Sequence, residues 1–349
     1  MQEIVEIVTH QLPHFDEVLA IWLLQKFGEK VFPNVSRAKI TFHNNGIAVP
    51  AEEFEKKGIL LIGLGGGRFD EHPSNGNERK EGECAATLMA QALGLRNDPI
   101  LKPLLKYVVK CDLKGNASPF DLATILKQLL LQNPDDPGKA ISWVFTGIEA
   151  MLEQQRQFFS VCKEELDQAE IAQIPGLKGT LTMVTVKSNN SEMSKFARSQ
   201  FGCNADIIIQ INTSGNTQIF TNAKTGLKIY DVVKMIRLRE QQIKGKISTW
   251  DWKVLASEGK VAGAEEWFFH EEGQMLLNGS LTASNMPPTK ITLAEIKALV
   301  KIGVNPQEFA PKRSHQCCQG ICTSTVNVPC PWYAFGLTRC RQVRYQSKQ

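Results

Sequence analysis

Two short segments concentrate residue types that bind metal ions. His10, His14 and Asp16 lie in HQLPHFDE, directly after the β-branched stretch EIVEIVT. Asp70 and His72 lie in GLGGGRFDEHPSN, directly after the apolar stretch GILLIGL. Imidazole nitrogens and carboxylate oxygens together suit Mn²⁺, Fe²⁺, Zn²⁺ or Co²⁺. Because the chain has only six histidines, two such clusters, each after a predicted strand, indicate a metal site.

A structural interpretation competes with the metal site at each position. Asp16 can instead cap the helix that follows it, and Arg68 can pair with a neighbouring acid in a plain loop. A third candidate ligand, Asp112 in KCDLKGN, closes an apolar helix before a glycine turn, where an Asp is more often a cap or a surface residue. The metal interpretation therefore depends on the three segments together.

The elements that would position these residues follow an α/β pattern. Strands are predicted at 3–9, 38–43 and 58–64, and helices in DEVLAIWLLQKFG, at 83–94 and at 99–111. Strands that alternate with helices predict a doubly wound, mostly parallel sheet for the N-terminal domain. Ligands bind such sheets beyond the carboxyl ends of the strands, where both clusters would lie.

The second half reads as a smaller mixed α/β domain. A long helix over 139–172 ends in the turn IPGLKG, and strand patterns then resume in GTLTMVTV, ADIIIQIN and TQIFTN. We expect domains at 1–170 and 175–305, with a cysteine-rich extension at 306–349. The cysteines of the extension form no C-x-x-C pair, so their spacing is poor for structural zinc.

Polar residues interrupt the apolar pattern of this second domain. Arg237 has the forked guanidinium that suits a phosphate, and His270, Asn278 and Ser280 can meet a phosphate or a sugar. A solvated helix face for Arg237 and a hydrogen-bonded core position for His270 are the competing interpretations. These four residues are the candidates for substrate binding.

Composition places the chain among ordinary globular proteins. With 349 residues, 42% of them hydrophobic and 22% charged, two domains are expected. A net charge of +4 permits a phosphate-bearing substrate without demanding nucleic acid. The N-terminal residues lack the pattern of a secretory signal, and the apolar stretches are far shorter than the roughly 20 residues of a membrane helix. We expect a soluble, cytoplasmic protein with no membrane partner; a homodimer is one option for its assembly.

The motifs resemble the DHH phosphoesterase superfamily, which includes RecJ-like nucleases and family II inorganic pyrophosphatases. The first superfamily motif, His-x-x-x-Asp-x-Asp after the first strand, is similar to His10, His14 and Asp16, with His in place of the first Asp. The run from Gly65 to His72 looks like the Gly-Gly, Arg-Phe/Tyr and Asp-His-His segment of the melanocyte-proliferating-gene nuclease branch. Asp112 falls where the superfamily has its last metal-binding Asp.

Two departures separate the chain from that branch. Glu71 replaces the middle His of the signature, and Ile62, Gly63 and Leu64 stand where the branch carries an Asp that often bridges two metals. A bridging carboxylate would then have to come from Asp70 or Glu71. Both departures favour the alternative of a decayed scaffold that binds a nucleotide without turning it over.

The resemblance implies a metal-dependent hydrolase that attacks phosphodiester or phosphoanhydride bonds with a metal-activated water. It implies one or two ions of Mn²⁺, Mg²⁺ or another divalent metal, held by His10, His14, Asp16, Asp70, His72 and Asp112. Arg68, Asp70 and His72 would act on the reacting phosphate. The second domain is similar in style to the accessory domain that closes over a phosphate-containing substrate, an oligonucleotide among the candidates.

Overall fold

A computed structural model describes residues 2–44, 50–72, 81–115, 117–279, 285–305, 321–322 and 340. The chain is an α/β protein that divides into two compact units, Met1–Arg156 and Gln157–Gln349. This division falls earlier in the chain than the predicted end at 170. Among the residues that the structure describes, none of the helices combines the length and apolar character that a bilayer crossing requires.

The first unit contains a parallel sheet in the described part of the chain. Its strands are β1 (Glu6–His10), β2 (Lys39–His43) and β3 (Ile59–Leu61), paired in the order β2-β1-β3. Its helices are α1 (Phe15–Phe27), α2 (Ala51–Glu55), α3 (Ala85–Ala92), α4 (Lys102–Lys114), α5 (Leu122–Gln132) and α6 (Pro137–Arg156). The predicted positions of all three strands and of α1, α3 and α4 are confirmed.

Strand β1 carries apolar side chains to both faces of this sheet. Ile7 belongs to the main core with α1 and α3, whereas Val8 packs with Ala51 of α2 and Leu61 of β3. Successive side chains of a strand point to opposite faces, so helices cover the sheet on both sides. Helix α1 is buried almost all round, from Phe15 to Leu24, because it runs through the main core. The residues between β1 and α1 are therefore firmly placed.

The second unit contains the larger of the two described sheets. After a π-helical segment (Gln157–Val161) its elements are α7 (Cys162–Asp167), β4 (Glu170–Gly176), β5 (Gly179–Lys187), α8 (Met193–Ala197), β6 (Ile207–Ile211), β7 (Thr217–Thr221), α9 (Tyr230–Ile243), α10 (Trp252–Leu255), β8 (Trp267–His270), β9 (Met275–Asn278) and α11 (Leu293–Val304). The strand order is β4-β5-β6-β7-β9-β8, with β5 and β6 parallel and the other neighbours antiparallel. The prediction of a mixed α/β unit is confirmed.

The predicted helix over 139–172 is wrong at its end. The consecutive helical segments α6, Gln157–Val161 and α7 run to Asp167, so the prediction fails only over 168–172, where the chain enters strand β4 at Glu170. β4 pairs with β5 along its whole length, yet as the edge strand it is largely exposed, and only Ile174 is buried. Its exposed positions combine polar Glu170 and Gln173 with apolar Ile171, so the strand shows no strict alternation of polar and apolar residues and looks like the end of a helix in the sequence.

Candidate metal centre

The carboxyl end of β1 leads directly into the candidate site. His10 is the last residue of β1, and His14 immediately precedes α1. Asp16 and Glu17 lie in the first turn of α1, and their exposed fractions are only 3% and 4%. The unpaired N–H groups at a helix start favour acidic side chains there. This turn therefore places two buried carboxylates beside two histidines.

Glu17 organises the loop between β1 and α1. Its Oε1 lies 2.6 Å from His10 Nδ1 and accepts a 2.9 Å hydrogen bond from Thr9 Oγ1, while Oε2 accepts one of 2.7 Å from the His14 N–H. The hydrogen bond with Glu17 raises the pKa of His10 above its usual 6.5. Because a carboxylate only accepts, Nδ1 carries the proton and Nε2 is left to bind a metal. Sequence reasoning missed Glu17, since a buried acid and a helix-start acid look alike in a sequence.

Gly63 makes room for the Glu17 carboxylate. Its φ of +69° is one that glycine adopts without strain, and a Cβ built there would lie 2.5 Å from Glu17 Oε1. A side chain at position 63 would thus displace the acid that holds His10. Gly63 therefore contributes to the site in two ways: it adopts the positive φ of the turn, and it leaves the volume that the Glu17 carboxylate occupies.

The glycine-rich turn after β3 holds Asp70. The N–H of Gly66, at φ +66°, donates a 2.8 Å hydrogen bond to Asp70 Oδ2. The N–H and Nδ1 of His72 both lie 3.0 Å from Asp70 Oδ1. Asp70 is 6% exposed, whereas the His72 side chain is 56% exposed. Asp70 therefore fixes the ring of His72 from a buried position.

Glu71 is a buried carboxylate with an unsatisfied oxygen. It is 3% exposed, and its Oε2 has no hydrogen-bond partner among the residues that the structure describes. Burial raises the pKa of Glu71, and the nearby Asp112 and Asp70 raise it further. An unpaired buried carboxylate oxygen is costly unless a proton or a cation neutralises it. Glu71 is therefore a candidate ligand outside the predicted set of six.

Asp16 belongs to two groups of candidate ligands. It lies with His14 and Glu17 in one and with Cys84 and Asp112 in the other, and the ligand atoms of each group lie within 4.8 Å of one another. Burial raises the pKa of Asp16 well above 3.8, with further repulsion from Asp112 and Glu17. Sequence reasoning missed Cys84, whose pKa burial raises to about 12. Asp70, Glu71 and His72 form a third such group.

One cavity of about 1020 Å³ brings these groups together. All six predicted ligands line it, together with Glu17 and Glu71. His43 lines it as well, because it ends β2 in register with His10 at the end of β1. The signal for His43 was present in the sequence, since the strand pattern KITFH ends in a histidine and parallel strands end at one edge.

Arg68 contacts an acid and two aromatic rings. Its Nε donates a 3.0 Å hydrogen bond to Glu55, and its guanidinium lies 5.0 Å and 4.9 Å from the ring centroids of Phe32 and Phe69. Arg68 is not one of the described residues that line the cavity. The competing interpretation, an arginine paired with a neighbouring acid, describes its contacts.

Arg237 is occupied inside the second unit. Its side chain is fully buried in α9 and donates hydrogen bonds to four main-chain carbonyls, those of Leu255 and Ser257 at 2.8 Å and those of Gly259 and Trp267. Burial lowers the pKa of Arg237 to about 10. These contacts give Arg237 a structural role, because its guanidinium is enclosed by backbone, and the phosphate contact stays a prediction.

The other substrate-binding candidates do not converge on one point. His270 and Asn278 lie at opposite ends of the hairpin of β8 and β9, where His270 pairs with Met275 and Trp267 pairs with Asn278. His270 Nδ1 accepts a 2.9 Å hydrogen bond from a neighbouring N–H. Asn278 is fully buried, with three hydrogen bonds to Oδ1 and two from Nδ2. Ser280 lies outside the described residues.

Comparison with known proteins adds little to this geometry. No protein-family model matches the chain, and no curated protein matches it. One solved structure, an uncharacterized protein from Helicobacter pylori G27, is similar with a TM-score of 0.26 and 11% identity, over 87% of this chain and 100% of that chain. A likeness this weak carries no argument about the fold or the function.

Proposed function

We propose that the first unit is a doubly wound, metal-dependent phosphoesterase, as the resemblance to the DHH superfamily implies. The observation that carries the proposal is the burial of Asp16, Asp70 and Glu71 around one cavity, with Glu71 Oε2 unpaired among the described residues. Carboxylates so close together and so little hydrated repel one another. A divalent cation among them would remove that repulsion.

The donor set fits such a cation. Asp16, Asp70, Glu71 and Asp112 offer carboxylate oxygens, and the histidines at the ends of β1 and at the start of α1 offer imidazole nitrogens. This mixture suits Mn²⁺ and its neighbours, and the carboxylates alone also suit Mg²⁺. Asp16 is common to two ligand groups, which supports a site for two ions that share it.

A divalent ion bound here would polarise a phosphoryl oxygen and favour deprotonation of water. The side chains of the protein perform the remaining tasks. Glu17 holds His10 in one orientation through its 2.6 Å contact. His72, half exposed and bonded to Asp70 through Nδ1, can carry on Nε2 the proton that the leaving oxygen needs. Asp70 holds the orientation of the ring through the same hydrogen bond.

One observation favours a second candidate, a module that binds a nucleotide without turnover. Ile62 and Leu64 are buried apolar residues and Gly63 has no side chain, so this segment supplies no carboxylate where the nuclease branch carries an Asp. A site that lacks a metal-bridging acid can retain a ligand and lose catalysis.

Metal content and activity together distinguish the two candidates. The purified chain is analysed for bound metals and assayed with bis(4-nitrophenyl) phosphate and added Mn²⁺, beside Asp16→Ala and the control Asp167→Ala. Asp167 is 65% exposed in the second unit. We expect one or two metals per chain and turnover in the wild type and control, both lost in Asp16→Ala. Metal without turnover would support the binding module, and absence of both would overturn the metal centre.

A further inference from the structure

A second cavity, of about 550 Å³, adjoins the metal centre within the first unit. It lies among the start of α1, the end of α4 and α5, and it shares Leu12, His14, Asp16 and Asp112 with the larger cavity. Three of these four residues are candidate metal ligands. One molecule can therefore place a phosphate at those ligands and another part of itself in the smaller cavity.

Away from the shared wall the smaller cavity is mainly apolar. The apolar side chains come from α1, α4 and α5 and include Phe15, Val108, Leu126, Leu130 and Leu131. Leu131 is 53% exposed, so part of the apolar lining is accessible from solvent. Among the described residues, its acidic lining consists of Asp16 and Asp112 alone, both on the shared wall. The smaller cavity therefore has no donor set for a metal ion of its own.

The few other polar groups do not make this cavity an anion site. The hydroxyl of Thr124 already donates a 2.7 Å hydrogen bond to the Ser118 carbonyl. Lys127 and Gln128 line the cavity from exposed positions on α5. A single exposed lysine supplies positive charge without the several directed donors that hold a buried phosphate. The lining of the smaller cavity therefore favours an apolar group of a ligand over an anionic one.

The size of the cavity agrees with that choice. Small-molecule sites typically occupy about 300–1,000 Å³ and are lined by apolar side chains with a few polar groups. An inorganic phosphoanhydride has no apolar part to place there, whereas an organic phosphate ester has one attached directly to the phosphate. Because the two cavities share a wall, the phosphate and the apolar group must be close together in the ligand.

We propose that the smaller cavity binds the organic group of a phosphate ester, an apolar group such as an aromatic ring, while the ester phosphate lies at the metal centre. The inference rests on the proposed function and narrows it. The substrate is an ester with an apolar ring, and inorganic phosphoanhydrides are disfavoured.

Two monoesters that differ only in their organic group test this assignment. Binding of phenyl phosphate and methyl phosphate to the Mn²⁺-loaded full chain is measured by calorimetry. We expect phenyl phosphate to bind at least roughly tenfold more tightly, because its ring leaves water for an apolar wall. Equal affinities in the wild type would overturn the inference.

Variants on α5 test whether the preference for phenyl phosphate arises in the smaller cavity. Gln128→Trp places a large ring in the cavity, and Gln132→Trp makes the same change at an exposed position of α5 outside the lining. We expect Gln128→Trp to bring the two esters within about twofold of each other and Gln132→Trp to retain the wild-type ratio. Leu131→Ser is a second, milder variant that should reduce the ratio about threefold.

The outcomes separate this inference from the proposed function. A phenyl preference that survives both Gln128→Trp and Leu131→Ser overturns the assignment of the cavity and leaves the metal centre standing. A preference lost in these variants, without turnover of any ester, supports the cavity and overturns hydrolysis. Failure of both esters to bind a chain that holds Mn²⁺ and hydrolyses bis(4-nitrophenyl) phosphate overturns the assignment of the cavity and leaves the proposed function standing.

Discussion

At the scale of single residues, Glu17 determines what His10 can do. Its carboxylate is buried and bonded to the histidine ring, to a threonine hydroxyl and to a main-chain N–H. Carboxylates behind metal-binding histidines fix the ring and make it a better ligand. The acid is thus a positioning residue, which would influence a bound metal through the His10 ring.

We expect Glu17→Gln to lower the affinity for Mn²⁺ about tenfold, because the neutral amide holds the His10 Nδ1–H less strongly. Calorimetric titration of the metal-free chain with Mn²⁺ measures the change. Glu164→Gln, at an exposed position of the second unit, is the matched control and should keep the wild-type affinity. Equal affinities in all three proteins would show that His10 does not depend on Glu17.

Site residues that lie close together in the chain were easier to predict from the sequence than those that only the fold brings together. His10, His14 and Asp16 are close in the chain, so their residue types and spacing suffice to group them. Cys84 joins Asp16 only because the start of α3 packs against the start of α1, and no local pattern announces that contact. Burial, which sets the chemistry of Glu71, depends on the whole fold.

At the scale of elements, two arginines of α9 illustrate opposite environments. Arg237 is enclosed and donates hydrogen bonds to four carbonyls. Arg239 instead forms a 2.6 Å ion pair with Glu295, and the two side chains are 39% and 35% exposed. Periodicity places both on one helix and does not distinguish them. Packing against the segment before β8 decides which arginine is buried.

We expect Arg237→Leu to lower the free energy of unfolding by about 3–5 kcal/mol, since it leaves several buried carbonyls without donors. Arg239→Leu should cost less than about 1 kcal/mol, because an exposed ion pair contributes little. Urea denaturation of the full chain measures both losses. A small loss for Arg237→Leu, accompanied by weaker binding of phenyl phosphate, would restore its predicted role in substrate binding.

Strand prediction succeeded for the buried strand β6 and failed for the edge strand β4 and for the short hairpin of β8 and β9. The buried strand β6 reads plainly in ADIIIQIN. β4 is an exposed edge, and β8 and β9 form a short hairpin around a charged turn, so neither shows a long alternating pattern. Exposed edges are constrained by pairing, which leaves little trace in composition.

At the scale of the whole molecule, the buried acids couple stability to pH. Burial raises the pKa of Asp16 well above 3.8 and that of Glu71 above 4.5. A group whose pKa rises on folding contributes stability that is fully present below its unfolded pKa and is lost as the pH rises through the folded pKa. Without a metal, these acids therefore weaken the fold as the pH increases.

We expect the metal-free wild type to lose free energy of unfolding relative to Asp16→Asn as the pH rises from 3.8 towards the raised pKa of Asp16. Urea denaturation after removal of metal by a chelator, at a series of pH values, measures the difference. Asp167→Asn should follow the wild type at every pH. Parallel curves for wild type and Asp16→Asn would contradict the coupling.

The contact between Gly63 and Glu17 has a consequence for how this sequence can vary. A side chain at position 63 would strike the carboxylate that holds His10, so the two positions are not free to change independently. Among homologous sequences we expect glycine at position 63 wherever glutamate occupies position 17. A larger residue at 63 should appear only with a shorter one at 17, so a lineage that gives up the contact between residue 17 and His10 would first lose the acid and only afterwards the glycine.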